Sequence, residues 1–162
     1  MNEDFQQHPP RRVLFVCTGN TCRSPMAEGL FRQCVEKFPD WEVGSAGVAA
    51  SVGSRESRDT AKVLQAHGAE LASFRSQQVS EELIEQADAV FAMTLGHLEV
   101  LEDEFPDHTD KFYLLGDFLD GDKTGSDVPD PIGMGARAYE QVADVLKAAF
   151  PGILRFLQAG EK

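Results

Sequence analysis

At 162 residues, 42% of them hydrophobic, the chain has the size of one domain with a proper core. A formal charge of −12 argues against an unaided nucleic-acid surface and disfavours an anionic membrane surface. Three unevenly spaced cysteines make no secreted disulfide framework, and there is no signal-peptide pattern or bilayer-length apolar run, which points to the cytoplasm.

Residues 1–10 are polar and aperiodic, include Pro9-Pro10, and read as a flexible tail ahead of a single domain over residues 11–162. Residues 12–16 are nearly continuously apolar, as in a central parallel strand. That strand delivers Cys17 into the loop Thr18-Gly19-Asn20-Thr21-Cys22-Arg23-Ser24-Pro25. Gly19 allows positive φ and Asn20 tolerates it, so successive N–H groups can turn inward around an anion. Ser24 reads as the N-cap and Pro25 as the first residue of a helix over 25–38, whose positive end then faces the loop. Arg23 adds a two-pronged guanidinium suited to phosphate oxygens. A thiol in that field is expected to ionise readily, and a thiolate beside an oxyanion cradle implies nucleophilic attack on phosphorus. A plain strand-end cysteine before a capped helix would not require Cys17, Gly19, Asn20 and Arg23 together. In the helix, Ala27, Leu30, Phe31, Cys34, Val35 and Phe38 fall on one face, which makes Cys34 a core residue.

Residues 41–47 read as a second strand and 57–68 as a second helix closed by Gly68. Ser80 caps a short helix with an acidic first turn. Residues 87–93 form a strand, 95–105 a helix and 111–115 the fourth strand. Strands alternating with helices give an α/β fold, a three-layer sandwich with a four-stranded parallel sheet and helices on both faces. Ligands then bind at the carboxyl ends of the strands, where Cys17 sits. Residues 116–135 form a long loop holding Asp117, Asp120, Asp122, Asp127 and Asp130. A helix over 139–157 follows, with a kink or short break predicted at Pro151-Gly152.

Cys17, five residues, then Arg23 and Ser24 is the signature loop of phosphatases that form a cysteinyl-phosphate. The form Cys-Thr-Gly-Asn-Thr-Cys-Arg-Ser-Pro-Met-Ala-Glu near the N-terminus, together with the late Asp130-Pro131, resembles the low-molecular-weight protein tyrosine phosphatase family. The resemblance covers nearly all of the chain from Arg12 onward. It implies a cysteine-dependent phosphatase acting on a phosphorylated protein. Cys17 is then the nucleophile, Arg23 and the loop from Thr18 to Ser24 hold the phosphoryl group, and Asp130 is the general acid and base. Prolines on both sides of Asp130 restrict its backbone; Asp127 is the runner-up. The resemblance also places Ser45 behind the loop, bonded to Asn20 or Ser24, although a strand-end serine needs no such role. Many members carry a supporting histidine where Phe74 stands here, so that support is missing or supplied differently. No metal or cofactor is inferred, because the three cysteines and His8, His67, His97 and His108 make no ligand pattern. Each histidine reads as a surface or helix-end residue.

Two positions bear on the substrate. Tyrosine-specific members usually place aromatic residues after Asp-Pro, where this chain has Ile132 and Gly133, with Tyr139 or Trp41 as conceivable replacements. They also usually carry a larger aliphatic residue at the position of Thr21, whereas the bacterial protein arginine phosphatases carry threonine. The loop looks most like the arginine-phosphatase branch, with phosphotyrosine as the alternative. Cys22 is a candidate disulfide partner that would protect Cys17 from deeper oxidation. An arsenate reductase shares the Cys-Thr-Gly-Asn beginning but needs further cysteines in mid-chain, and none follows Cys34. A non-catalytic phosphoprotein-binding module would be expected to lose Cys17 or the acid while keeping Arg23.

Overall fold

The computed structural model describes residues 11–159; the N-terminal segment read as a tail lies outside them. Four parallel strands, β1 (Arg12–Cys17), β2 (Glu42–Gly47), β3 (Ala89–Ala92) and β4 (Phe112–Leu114), lie in the order β2-β1-β3-β4. Among the described residues the α-helices are α1 (Arg23–Cys34), α2 (Arg58–Ala66), α3 (Glu81–Gln86), α4 (Leu95–Glu104) and α5 (Ala136–Ala159). None of the described helices is long and apolar enough to cross a membrane.

The apolar run of β1 is explained by burial on both faces. Phe15 points into a core shared with α1, α2 and α5, while Leu14 and Val16 point into a second core with α3 and α4. Within the larger core, Phe31 meets Phe150 edge-on at a centroid distance of 5.0 Å, and Phe15 lies 5.8 Å from Phe91. The chain leaves β1 toward β2 on one side and later returns to β3 on the other. This reversal opens a crevice at the carboxyl end of β1, beside Cys17.

Three local expectations are corrected. Helix α1 begins at Arg23 with Cys22 at its N-cap and no side-chain cap, because the Ser24 hydroxyl is engaged elsewhere, as described below. The same helix ends at Cys34, and its turn-like continuation leaves Phe38 exposed and stacked on Trp41 at 5.3 Å. Cys34 is exposed rather than in the core; it lies within electrostatic reach of Lys147 on α5, where the helix pair opens to water.

Helix α5 is continuous through Pro151, so of the predicted kink or short break the break is absent. Pro151 is exposed and removes one helical N–H, while packing explains its neighbour. A Cβ on Gly152 would come within 2.8 Å of the Phe118 carbonyl oxygen, so glycine lets α5 lie against the 3₁₀ turn Leu115–Phe118. The acidic segment is likewise more ordered than its composition suggests. It holds a second short 3₁₀ turn, Gly121–Lys123, and Val128 is fully buried with its N–H on the Met93 carbonyl at 2.9 Å.

Alanine is the better helix former, yet Gly152→Ala is expected to lower stability by about 1–3 kcal/mol, because overpacking against a fixed carbonyl outweighs propensity. Chemical denaturation of the purified variant would read this out, and a stabilised variant would show that α5 can move off the turn.

Candidate active site

The loop after β1 is shaped by where its carbonyls go. Those of Cys17, Thr18 and Thr21 accept from the N–H groups of Val48, Ala49 and Ser57, at 2.9, 2.9 and 2.8 Å. That of Cys22 accepts from Met26 N–H at 3.2 Å and from the Thr60 hydroxyl at 3.2 Å. A trans peptide opposes its N–H to its carbonyl, so outward carbonyls at these four positions turn the N–H groups of Thr18, Gly19, Cys22 and Arg23 inward. Gly47 lets the end of β2 press against this loop; a Cβ there would collide with the Thr18 carbonyl.

The residue with positive φ is Asn20, at 59°, and not Gly19. Its side chain makes that conformation secure. Asn20 Nδ2 donates to Ser24 Oγ at 2.8 Å and to Ser45 Oγ at 2.9 Å, and Oδ1 accepts from Gln77 N–H at 2.9 Å. Ser45 in turn donates to Glu28 at 2.6 Å, and Glu28 pairs with Arg32 at 2.6 Å. Burial pushes the Glu28 carboxyl up from its ordinary value, against the pull of the Ser45 hydroxyl and Arg32. Support thus comes from Ser45, Glu28 and the backbone of Gln77, while Phe74 sits buried in the larger core.

Cys17 is buried, with Sγ 2.9 Å from Ser24 Oγ. The Ser24 hydroxyl, displaced from the cap role, therefore lies between the thiol and the Asn20 amide. Arg23 is 6% exposed and donates from Nη1 to the Val128 carbonyl at 3.0 Å. Its Nη2 lies 3.9 Å from Asp130 Oδ2. Asp130 remains about half exposed and accepts from Ile132 N–H at 3.1 Å, a two-residue turn that orients its carboxylate. Asp127, the alternative acid, accepts instead from Leu95 N–H at the start of α4, at 2.8 Å. Thr21 is half-buried on the loop and Ile132 is 62% exposed on the rim. Tyr139 is buried with its hydroxyl 3.4 Å from Cys22 Sγ, and Trp41 packs on Phe31 and Phe38 just before β2, at the other end of the sheet. Trp41 therefore supplies no wall for a substrate.

This is strand, anion cradle, thiol, arginine and acid gathered at one crevice. Residues 12–162 match the family described as low molecular weight phosphotyrosine protein phosphatase. The chain belongs to that family. It is thus a phosphoprotein phosphatase. Among its relatives, the protein-arginine-phosphatase of Geobacillus stearothermophilus is 42% identical over 149 residues, covering 92% of this chain and 97% of the relative. The solved YwlE arginine phosphatase from the same organism superposes with a TM-score of 0.84 at 40% identity, covering 94% of this chain and 96% of that one. A cysteine-to-serine mutant of YwlE arginine phosphatase with a phosphorylated active-site serine superposes with a TM-score of 0.83 at 34% identity, covering 91% and 95%.

Within this family fold, one neighbour of the loop escaped the sequence reading. His97 is 7% exposed, and its Nε2 lies 2.7 Å from Thr18 Oγ1. It is the third residue of α4, a helix-end position as expected, but it is buried beside the phosphate loop. The sequence signal was faint: a Thr94 cap, whose Oγ1 accepts from His97 N–H at 3.1 Å, places position 97 on the first turn facing the crevice. Tyr139 also belongs here, its phenol pushed up to about 12 by burial and then by Cys22. Away from the crevice, Glu81, Glu85 and His108 lie within 4.8 Å of one another, a grouping invisible in the spacing, and His108 pairs with Glu81 at 3.0 Å.

Burial holds the His97 imidazole down at about 4, with Arg23 adding to the effect and Asp127 and Asp130 opposing it. Because the folded value lies below the unfolded 6.5, the unfolded chain takes up a proton first as the pH falls. The associated stability is full above pH 6.5 and is lost on descending toward pH 4. Wild type should therefore lose more melting temperature than His97→Gln between pH 6.5 and 4.5; parallel curves would show that the imidazole does not titrate this way.

Proposed function

We propose that the enzyme removes phosphoryl groups from arginine side chains of proteins in the cytoplasm, through a covalent intermediate on Cys17. The observation that carries the reaction is the meeting, at the loop that begins with buried Cys17, of outward-bonded carbonyls that turn N–H groups inward and an Arg23 guanidinium whose Nη2 lies 3.9 Å from Asp130 Oδ2. The Cys17 thiolate attacks phosphorus and the P–N bond breaks. The departing guanidine nitrogen takes a proton from Asp130. Water then attacks the phosphocysteine with Asp130 as base; the S–P bond breaks, phosphate leaves and the thiolate is restored. Arg23 and the loop amides hold the phosphoryl oxygens as charge shifts among them. The phosphorylated serine in the related cysteine-to-serine mutant supports Cys17 as the residue that accepts the phosphoryl group. A thiolate nucleophile also works best where thiols stay reduced, which favours the cytoplasm.

Phosphoarginine is favoured over phosphotyrosine by the walls of the crevice. Thr21 offers a hydroxyl and little apolar surface, Ile132 stands where a phenol ring would want an aromatic partner, and Asp130 can attract a guanidinium. Two relatives described above, at 42% and 40% identity, are arginine phosphatases by name, which supports the same reading.

In a phosphate-release assay, wild type should act faster on phosphoarginine peptides than on phosphotyrosine peptides, and Thr21→Ile should level or reverse that order. Faster phosphotyrosine release in wild type would overturn the arginine reading and return the chain to the tyrosine branch. Cys17→Ser should lose turnover altogether. Asp130→Asn should lower kcat by about 10²–10⁴-fold, most for the poorest leaving group; an equal effect on all substrates would shift the acid role to Asp127.

A further inference from the structure

The first turn of α4 is bonded to both halves of the crevice. Its Leu95 N–H holds Asp127 of the acidic segment, and the preceding Met93 carbonyl holds Val128. Two residues on, His97 reaches the phosphate loop through Thr18. His97 is more than nine-tenths buried, and its Nδ1 has no partner among the described residues. Leucine would fill that volume without leaving a buried nitrogen unpaired, so packing alone does not account for histidine here.

On the reading that this crevice carries out phosphoryl transfer, we propose that His97 is a positioning residue. As an uncharged imidazole it fixes Thr18, the residue after the nucleophile, and keeps the first peptide of the cradle in register with the acidic segment anchored on the same helix. The carbonyl of Thr18 is already held by Ala49 N–H, so the His97 contact fixes the remaining freedom of this residue. Cradle N–H groups act only when aimed at the phosphoryl oxygens, and a small misplacement is costly in rate.

The neutral form is part of the role. Arg23 from α1 and Asp127 and Asp130 from the acidic segment lie within electrostatic reach of the imidazole. Burial and Arg23 oppose protonation, and the two carboxylates do not overcome them. A second cation beside Arg23 would bind product phosphate and transition state alike, which does not raise kcat.

The test uses the full chain with p-nitrophenyl phosphate, a probe that needs no side-chain recognition, and Cys17→Ser as control. Thr18→Val and His97→Ala are each expected to lower kcat by about tenfold or more while KM changes by less than about threefold. The double variant should lose no more than the worse single one, since both remove one contact. His97→Gln, whose amide can still reach Thr18, should restore most of kcat. Thr18→Val with wild-type kcat would overturn the proposal. So would losses that multiply in the double variant, or a His97→Gln no better than His97→Ala. Should His97→Ala fail to fold, Thr18→Val and His97→Gln decide the matter: a loss in the first with activity kept in the second supports it, and the reverse overturns it. Turnover by Cys17→Ser would instead overturn the phosphoryl-transfer reading of the crevice, and the role of His97 with it.

Discussion

A peptide unit cannot point its carbonyl and its N–H the same way, and the site is built on that constraint. Val48, Ala49, Ser57, Met26 and Thr60 each draw a loop carbonyl outward, so the loop needs no ligand to set its N–H groups inward. Those partners come from the turn after β2, the segment before α2, α2 itself and α1. The cradle is therefore a product of the whole sheet-and-helix arrangement around β1, and its geometry exists before an anion arrives.

The supporting side chains follow the same economy. Asn20 occupies a left-handed conformation that most residues resist, and three hydrogen bonds hold it there. From Asn20 the network runs through Ser45 to the buried Glu28 and ends at Arg32, whose guanidinium also donates to the Val43 carbonyl at 2.8 Å. Burial already works against the ionised Glu28 carboxyl, and removing either Ser45 or Arg32 would leave it with less compensation still. The thiol is thereby linked through Ser24 and Asn20 to a charged pair near the protein surface.

Much of this was legible in the chain. The apolar run of β1, the alternation of strands and helices, and Cys17 and Arg23 at the two ends of one loop are local patterns, and they located the fold and the crevice. What stayed hidden depends on contacts between distant segments. Ser24 has the chemistry of a cap, but its hydroxyl is taken up within the loop by Cys17 and by Asn20, whose amide is itself set by the distant Ser45 and Gln77. Gly19 has the freedom for positive φ, yet the hydrogen bonds that stabilise such a conformation belong to Asn20. Cys34 lies on the apolar stripe by periodicity but at the open edge of the α1–α5 contact. His97 lies 79 residues from Thr18, and no local spacing reports that meeting.

The rim differs from the cradle in how much the fold depends on it. Ile132 and Met134 are 62% and 69% exposed, and Asp130 is oriented by the turn that it makes with its own backbone neighbour. Exchanges at such exposed positions typically alter stability by less than about 0.5 kcal/mol. The phosphate cradle, by contrast, is tied to four surrounding segments and tolerates little change. Side chains at the rim can thus be exchanged with little effect on folding, whereas the backbone of the cradle cannot shift without loosening four segments at once.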